Sequence, residues 1–211
     1  MGRLHIDLFV TLDGVAQAPG GPEEDTSGGF PFGGWQAPLP DDMVGREVTA
    51  GIAAMDALLL GRRTYDIFAS YWPRQASTIG RRLNEVPKYV ASRGTPDLTW
   101  ERSTLLGPDL AAEVRAVRDR HESTHVIGSV DLVQTLLAER LFDVLTLWVH
   151  PIVLGQGKKV FPDGVRPSGL RLLEPPAVGS EGVVQLRYAP TGADPATGDM
   201  TVDDPRDDSA G

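Results

Sequence analysis

The stretch between residues 124 and 161 constrains the fold most, because a strand, a helix and a second strand follow one another in it. A short apolar run, His125–Ile127, ends at Gly128. Apolar residues then recur at the spacing of one helix face: Val133, Leu136, Leu137 and Leu141. The segment Val144–Val149 is rich in the β-branched and aromatic residues that strands favour. Two strands joined by a helix predict a βαβ unit, and therefore a parallel sheet.

Three predicted strands are each followed by a turn whose groups suit an anion. The first turn, after the run Ala57–Leu60, consists of Gly61, Arg62, Arg63 and Thr64. The second, after Lys88–Ala91, contains Ser92 and Arg93, and the third, after His125–Ile127, contains Gly128 and Ser129. A helix that begins at such a turn directs free N–H groups and a positive dipole end outward. Ligands of open α/β sheets bind beyond the carboxyl ends of the strands. The turns therefore predict one site for a phosphorylated nucleotide, a pyrophosphate with one additional phosphate. We also expect Thr64 to cap its helix; the alternative for Arg62 and Arg63 is a solvated surface turn.

A connection rich in glycine and proline follows the first predicted strand, which spans Leu4–Val10. Eleven of the 22 residues from Pro19 to Pro40 are Gly or Pro, and so long a loop is either functional or disordered. Its aromatic residues, Phe30, Phe32 and Trp35, either cover the ring of a ligand or pin the loop to the protein. Two acidic residues, Asp41 and Asp42, come next. They either cap the following helix or anchor a polar substrate.

The remaining elements complete an α/β domain over residues 1–189. Residues 98–100 predict a short edge strand, and Leu170–Glu174 and Gly182–Tyr188 predict two closing strands that pair antiparallel. The fold class is therefore α/β, with a largely parallel sheet and a C-terminal antiparallel addition. Residues 190–211 contain six Asp and one Arg and predict an acidic, disordered tail.

Charge and composition exclude several classes of partner. The chain has 211 residues, a net charge of −9 and no cysteine. This acidic balance argues against nucleic acid. The lack of any apolar run of roughly 18–20 residues argues against a membrane span. A cytoplasmic location is expected, since no signal-peptide pattern is present and cysteine is absent.

Several sequence motifs of catalysis and of cofactor or metal binding are missing. There is no GxSxG, HExxH or Walker A motif, and no metal site is expected. Gly155 and Gly157 lead into Lys-Lys-Val-Phe rather than into a helix. The pair is therefore not a dinucleotide fingerprint, and we interpret it as a tight turn.

The chain resembles the dihydrofolate reductase-like fold, in particular the reductase domain of the bacterial riboflavin-biosynthesis deaminase-reductase and its stand-alone relatives. The matching segments are Leu12–Val15, Leu60–Tyr65, Val90–Arg93, Val126–Ser129 and His150–Gly157. The resemblance implies a three-layer α/β/α domain with a twisted mixed sheet that binds NADPH. It places Gly61–Thr64 and Gly128–Ser129 at the nucleotide phosphates and Ser92–Arg93 at the 2′-phosphate. Leu12, Asp13 and Gly14 then lie near the nicotinamide.

These observations predict an NADPH-dependent oxidoreductase that transfers hydride to a small heterocyclic or carbonyl substrate, pterin-like or ribosylaminopyrimidine-like. Asp41 or Asp42 is the candidate for the acid at the substrate, and Phe32 and Trp35 for a lid over it. The alternative is a nucleotide- or small-molecule-binding protein on the same scaffold without turnover. The resemblance also implies a homodimer, with the late strands as its interface. No zinc deaminase motif is present, which leaves the substrate open.

Overall fold

One mixed sheet with helices on both faces organises the chain, of which this computed structural model describes residues 1–199. The strands of this part are β1 Arg3–Thr11, β2 Ala57–Gly61, β3 Lys88–Ala91, β4 Ser103–Leu105, β5 Ser123–Ile127, β6 Val144–His150, β7 Leu170–Leu172, β8 Ala177–Val178 and β9 Val184–Pro190. The α-helices are α1 Asp42–Ala54, α2 Arg62–Tyr71, α3 Thr78–Glu85, α4 Leu110–Arg120 and α5 Val130–Ala138. Two short 3-10 helices span Ser27–Gly29 and Trp72–Arg74.

The sheet is parallel over six strands and antiparallel at its C-terminal end. Its order is β4-β3-β2-β5-β1-β6-β9-β7, and β8 also pairs with β9. β1 pairs in parallel with both β5 and β6, so that His5 lies beside His125 on one side and Val144 on the other. β9 runs antiparallel to β6 and to β7. The predicted largely parallel sheet with a late antiparallel addition is confirmed.

The first face of the sheet is apolar and covered by two helices. Alternate residues of β1, namely Leu4, Ile6, Leu8 and Val10, are buried in the main core. Val114 and Val117 of α4 and Val133 and Leu136 of α5 pack into the same cluster, as side-chain alternation in a strand and helical periodicity require.

The second face is covered over only part of its width. Residues of α1, α2 and α3 form a second core with Leu58 and Leu60 of β2 and Val90 of β3, which confirms the three-layer α/β/α arrangement. Farther along the sheet this face carries polar side chains instead, and they line a large cleft. They are His5, Asp7, Ser123, His125, Thr146, Gln185 and Arg187.

Two local predictions are wrong. The edge strand is not at residues 98–100 but at β4, because Trp100 fills the second core instead of pairing in the sheet. The Trp100 backbone N–H donates to the Tyr65 hydroxyl at 2.9 Å, and its indole N–H donates to Asn84 Oδ1 at 2.7 Å. Thr64 does not cap α2 either: Gly61 occupies the cap position, and Thr64 lies within the first turn.

The predicted tail begins within the sheet. Pro190 is the last residue of β9, and Asp194 forms an ion pair with Arg140. Residues 200–211 lie outside the described part of the chain, so disorder there stays a prediction. Large apolar side chains are exposed next to the outer strands, at Leu172, Leu173 and Val178, where the dimer contact is expected; the dimer also stays a prediction. Within residues 1–199, none of the helices has the length and apolar character needed to cross a bilayer.

Candidate functional site

Three predicted turns meet at one edge of the sheet. β3, β2 and β5 are adjacent and parallel, so the turns that follow them lie side by side. All three line a single cleft of about 2000 Å³. The turns after β2 and β5 are joined directly, since the backbone N–H of Gly61 donates to Ser129 Oγ at 2.8 Å. The structure thus brings together Gly61–Thr64, Ser92–Arg93 and Gly128–Ser129.

The turn after β5 leaves room for a ligand. Gly128 and Ser129 both have positive φ, 68° and 60°, and Ser129 is the cap residue of α5. A left-handed conformation at a non-glycine residue costs roughly 1–2 kcal/mol, and such strain is concentrated at functional sites. A Cβ built on Gly128 meets nothing closer than Thr64 Cγ2, at 3.6 Å. The start of α5 is therefore open to the cleft.

The three arginines of this edge differ in how strongly the protein engages them. Arg62 is paired with Asp66 at 2.6 Å, one helical turn away. Arg63 Nη1 lies 3.6 Å from Asp25 Oδ2 and 3.9 Å from Asp131 Oδ2. Arg93 makes no hydrogen bond or ion pair with any of residues 1–199. The guanidinium of Arg93 is therefore the one most free to meet an anion.

The glycine- and proline-rich loop is fastened to the protein by its own aromatic residues. Phe30 and Trp35 are buried, and the indole N–H of Trp35 donates to the Gln17 carbonyl at 2.8 Å. Phe32 is exposed and packs edge-on against Phe30. Neither Phe32 nor Trp35 lines the cleft. This geometry corresponds to the pinning alternative, and the loop residues at the cleft are instead Pro19, Gly20, Glu24, Asp25 and Gln36.

Asp41 and Asp42 also stand outside the cleft. Asp41 caps α1, since it accepts hydrogen bonds from the backbone N–H groups of Met43 at 2.9 Å and Val44 at 3.3 Å. It also accepts one from Glu181 at 3.0 Å, which ties the β8–β9 turn to the helix. The Glu181 N–H, followed by those of Val44 and Met43, holds the pKa of Asp41 below its usual range. Asp42 is exposed on the first turn of α1.

We expect Asp41→Asn to destabilise the protein at neutral pH and to have little effect in acid. Because the folded-state pKa lies below the unfolded value, the carboxylate stabilises the fold above about pH 4. That contribution is lost as the pH falls through the folded-state pKa. Urea unfolding of both proteins at pH 7 and pH 3 measures the difference, with Asp42→Asn as the control. Equal losses for the two variants at pH 7 would contradict the capping role.

Leu12, Asp13 and Gly14 follow β1 at the same end of the sheet but do not line the cleft. Asp13 accepts hydrogen bonds from the Thr11 hydroxyl at 2.6 Å and from the backbone N–H groups of Leu154 and Gly155 at 3.2 and 2.8 Å. The Thr11 hydroxyl is the main cause of the lowered pKa of Asp13. Asp13 thus fixes the turn at Gly155–Gly157, whose two glycines have positive φ.

The sequence analysis missed a polar cluster on the open sheet face. The His125 Nδ1–H donates to Asp7 Oδ2 at 2.7 Å, and the His125 ring stacks on that of His5 at 4.6 Å with 5° between the planes. Burial, and next the neighbouring His125, lower the pKa of His5 to about 4. The signal was present in the sequence, because β1 places His5 and Asp7 at alternate positions where a fully covered strand would be apolar.

Comparison with known proteins gives the same fold and one family. The model of the family described as RibD C-terminal domain matches residues 3–184. The uncharacterized protein YyaP of Bacillus subtilis is 27% identical over 192 residues, which cover 88% of this chain and 94% of YyaP.

Two solved structures show how far the likeness extends. One, described as a candidate riboflavin biosynthesis protein from Shewanella sp. PV-4, has a TM-score of 0.69 at 19% identity and covers 89% of this chain and 98% of its own. The other is dihydrofolate reductase from Enterococcus faecalis complexed with NADP(H) and RAB-propyl, with a TM-score of 0.56 at 16% identity over 90% and 97% of the two chains. At such identities the likeness shows the fold, and the predicted dihydrofolate reductase-like fold is confirmed.

Proposed function

Because the chain belongs to the RibD C-terminal domain family, we propose that it is an NADPH-dependent reductase of a pyrimidine- or pterin-type heterocycle. The observation that carries this proposal is the junction of three anion-binding turns at one cleft, with Gly61 hydrogen-bonded to Ser129. Two such turns fit a pyrophosphate, and the third fits the additional phosphate that distinguishes NADPH from NADH.

The residues at the strand ends fit this cofactor. The start of α2 at Gly61–Thr64 and the start of α5 at Gly128–Ser129 present backbone N–H groups to the pyrophosphate. The open space above Gly128 admits a phosphate that a larger side chain would exclude. Ser92 and Arg93 provide a hydroxyl and an unengaged guanidinium for the 2′-phosphate. Leu12–Gly14 follow the central strand at the same end of the sheet but do not line the cleft, so their contact with the nicotinamide stays a prediction.

The bound nicotinamide supplies the hydride, and the protein supplies orientation and a partly closed environment. Pro19–Gly20, Glu24 and Asp25 form one wall of the cleft, and they are held there by an ion pair of 2.7 Å between Lys158 and Asp25. Gln17 strengthens this wall, because its side-chain amide donates to the carbonyls of Asp25 and Ser27 at 3.0 Å. The loop thus restricts access of water to one side of the cofactor.

NADPH is expected to bind in preference to NADH, and Arg93→Ala is expected to remove that preference. A charge-assisted hydrogen bond to the 2′-phosphate is worth roughly 1.5–3 kcal/mol, about a tenfold or larger change in affinity. Trp72 and Trp148 line the cleft, so titration with each nucleotide is followed by tryptophan fluorescence.

Arg74→Ala is the matched control, because Arg74 is exposed and lies outside the cleft. Arg93→Ala should weaken NADPH binding about tenfold and leave NADH binding unchanged, whereas Arg74→Ala should leave the affinity for both nucleotides unchanged. If wild-type protein bound neither nucleotide, the reductase proposal would be abandoned. If it bound NADPH but oxidised it with no pterin or aminopyrimidine, the alternative of a binding protein without turnover would be favoured.

A further inference from the structure

The uncovered part of the second sheet face has the features of a recognition surface. Asp7 of β1, Thr146 of β6 and Arg187 of β9 are successive partners in the sheet register, so they lie in one row across three strands. Phe9, Trp148 and Gln185 form the next row, nearer to the carboxyl end of β1. Both rows line the same cleft as the three anion-binding turns. A ligand seated here would therefore share the cleft with the proposed nucleotide.

Asp7 is held by one carboxylate oxygen and free at the other. Its Oδ2 accepts the hydrogen bond from His125 Nδ1 at 2.7 Å, whereas its Oδ1 has no hydrogen-bond partner among residues 1–199. The side chain of His125 is 8% exposed and that of Asp7 is 25% exposed. The buried imidazole thus fixes the orientation of a carboxylate that lines the cleft and whose second oxygen is unpaired.

His125 has no nitrogen left for a ligand. Its Nε2 lies 3.2 Å from Ser123 Oγ, and its Nδ1 is used by Asp7. Arg187 donates to Glu174 Oε1 at 2.9 Å, and a guanidinium cannot accept a hydrogen bond. Asp7 is therefore the carboxylate acceptor that this cluster offers to a ligand, and His125 is a positioning residue.

The surroundings of Asp7 suit a flat polar ring. The side chains of Thr146 and Gln185 have no hydrogen-bond partner within the described residues, so the hydroxyl and the amide are free next to the carboxylate. Phe9 and Trp148 stand beside them, with 6.4 Å between ring centroids. An ionised carboxylate only accepts hydrogen bonds, so it selects for N–H donors. A buried polar site rejects an analogue that lacks its hydrogen-bonding group far more strongly than an apolar pocket does.

We propose that Asp7 is the acidic group that contacts the substrate, where it accepts an N–H hydrogen bond from a flat nitrogen heterocycle of the aminopyrimidine class. Thr146 makes the adjacent contact, and His125 positions the carboxylate. This inference rests on the proposed reductase function, and it assigns to Asp7 the role that the sequence pattern suggested for Asp41 or Asp42. The proposal also excludes a substrate that turns toward Asp7 a ring edge with hydrogen-bond acceptors only.

Two small pyrimidines test the proposal without knowledge of the natural substrate. Isocytosine offers an amino group next to a ring N–H, whereas 1,3-dimethyluracil has a ring of the same size with carbonyl groups and no N–H. Calorimetric titrations of wild-type protein, with and without NADPH, are expected to detect binding of isocytosine and not of 1,3-dimethyluracil.

Asp7→Asn should weaken isocytosine binding by about tenfold or more, since a hydrogen bond to a charged group is lost. NADPH affinity should change less than about twofold, and the exposed Asp42→Asn variant should match wild type in both titrations.

A second measurement needs no substitution. In wild-type protein labelled with ¹³C at aspartate carboxyl groups, isocytosine should shift the Asp7 resonance and leave that of Asp42 in place. His125→Gln should remain folded and retain NADPH binding, yet reduce the isocytosine-induced shift at Asp7, which a purely structural role for His125 would not do. If Asp7→Asn bound isocytosine like wild type, or if wild type did not bind it at all, Asp7 would not be the recognition group.

The outcomes also separate this inference from the function on which it rests. Absence of NADPH binding with retained isocytosine binding would overturn the reductase proposal and leave the recognition role of Asp7 intact. NADPH binding that survives every substitution, together with isocytosine binding that is indifferent to Asp7→Asn, would overturn only the inference.

Discussion

Gly157→Ala is expected to lower the free energy of unfolding by about 3 kcal/mol, from overpacking and backbone strain together. A Cβ on Gly157 would lie 2.7 Å from both Phe30 Cε2 and Val15 Cγ1. Both of those residues are buried in the small cluster that fastens the glycine- and proline-rich loop. Gly157 also has a φ of 122°, which L-residues rarely adopt. The substitution therefore adds a clash to an already unfavourable backbone conformation.

Gly155→Ala is the matched control in the same turn. Gly155 has a φ of 75°, but a Cβ there meets no atom within 4 Å, so only the left-handed backbone should cost energy, about 1 kcal/mol. Urea unfolding followed by circular dichroism measures both variants. Equal destabilisation would mean that Phe30 and Val15 can move aside, and that the loop is not tightly packed against this turn.

Gly128→Val is expected to abolish NADPH binding at concentrations that saturate wild type. The side chain would occupy the open space at the start of α5, where the turn is proposed to meet the pyrophosphate. Loss of two charge-assisted hydrogen bonds corresponds to roughly 3–6 kcal/mol, or an affinity lower by about a hundredfold or more. Fluorescence titration with NADPH gives the affinity, and thermal unfolding shows whether the variant is folded.

Gly164→Val separates ligand exclusion from backbone strain. Gly164 has a φ of 78°, close to the 68° of Gly128, and it too has free space around it. It lies outside the cleft. The two variants should lose similar stability, and only Gly128→Val should lose NADPH affinity. A Gly128→Val protein that bound NADPH normally would remove Gly128 from the proposed site.

The parts of the fold that could be predicted depend on local patterns. Strands such as His125–Ile127 and helices such as α5 are marked by apolar periodicity, and the turns at Gly61 and Gly128 follow directly from them. Their meeting at one sheet edge was predictable as well, because parallel strands place their carboxyl ends together. No assumption about distant contacts was needed for this step.

The polar cluster was not predictable in the same way. Asp7 and His125 are separated by 118 positions in the chain, and their contact depends on the register between β1 and β5. A shift of that register by one residue would turn the partner side chains to opposite faces. The positions of the two aromatic residues Trp35 and Trp100 were equally undetermined, because an indole serves a ligand or a core equally well. The available partners, the Gln17 carbonyl and Asn84, decide both cases.

The central place of β1 has a consequence for synthesis of the chain. Arg3 pairs with Ser123 and His5 with Val144, so β1 is synthesised more than a hundred residues before the two strands that flank it. At roughly 5–20 residues per second that interval lasts on the order of ten seconds. During it the apolar side of the strand, at Leu4, Ile6, Leu8 and Val10, lacks the helices α4 and α5 that cover it in the folded protein. His5 and Asp7 interrupt the run, as polar residues do in strands that must resist aggregation. The carboxylate proposed to recognise the substrate thus also places a charge within this strand before its partners are made.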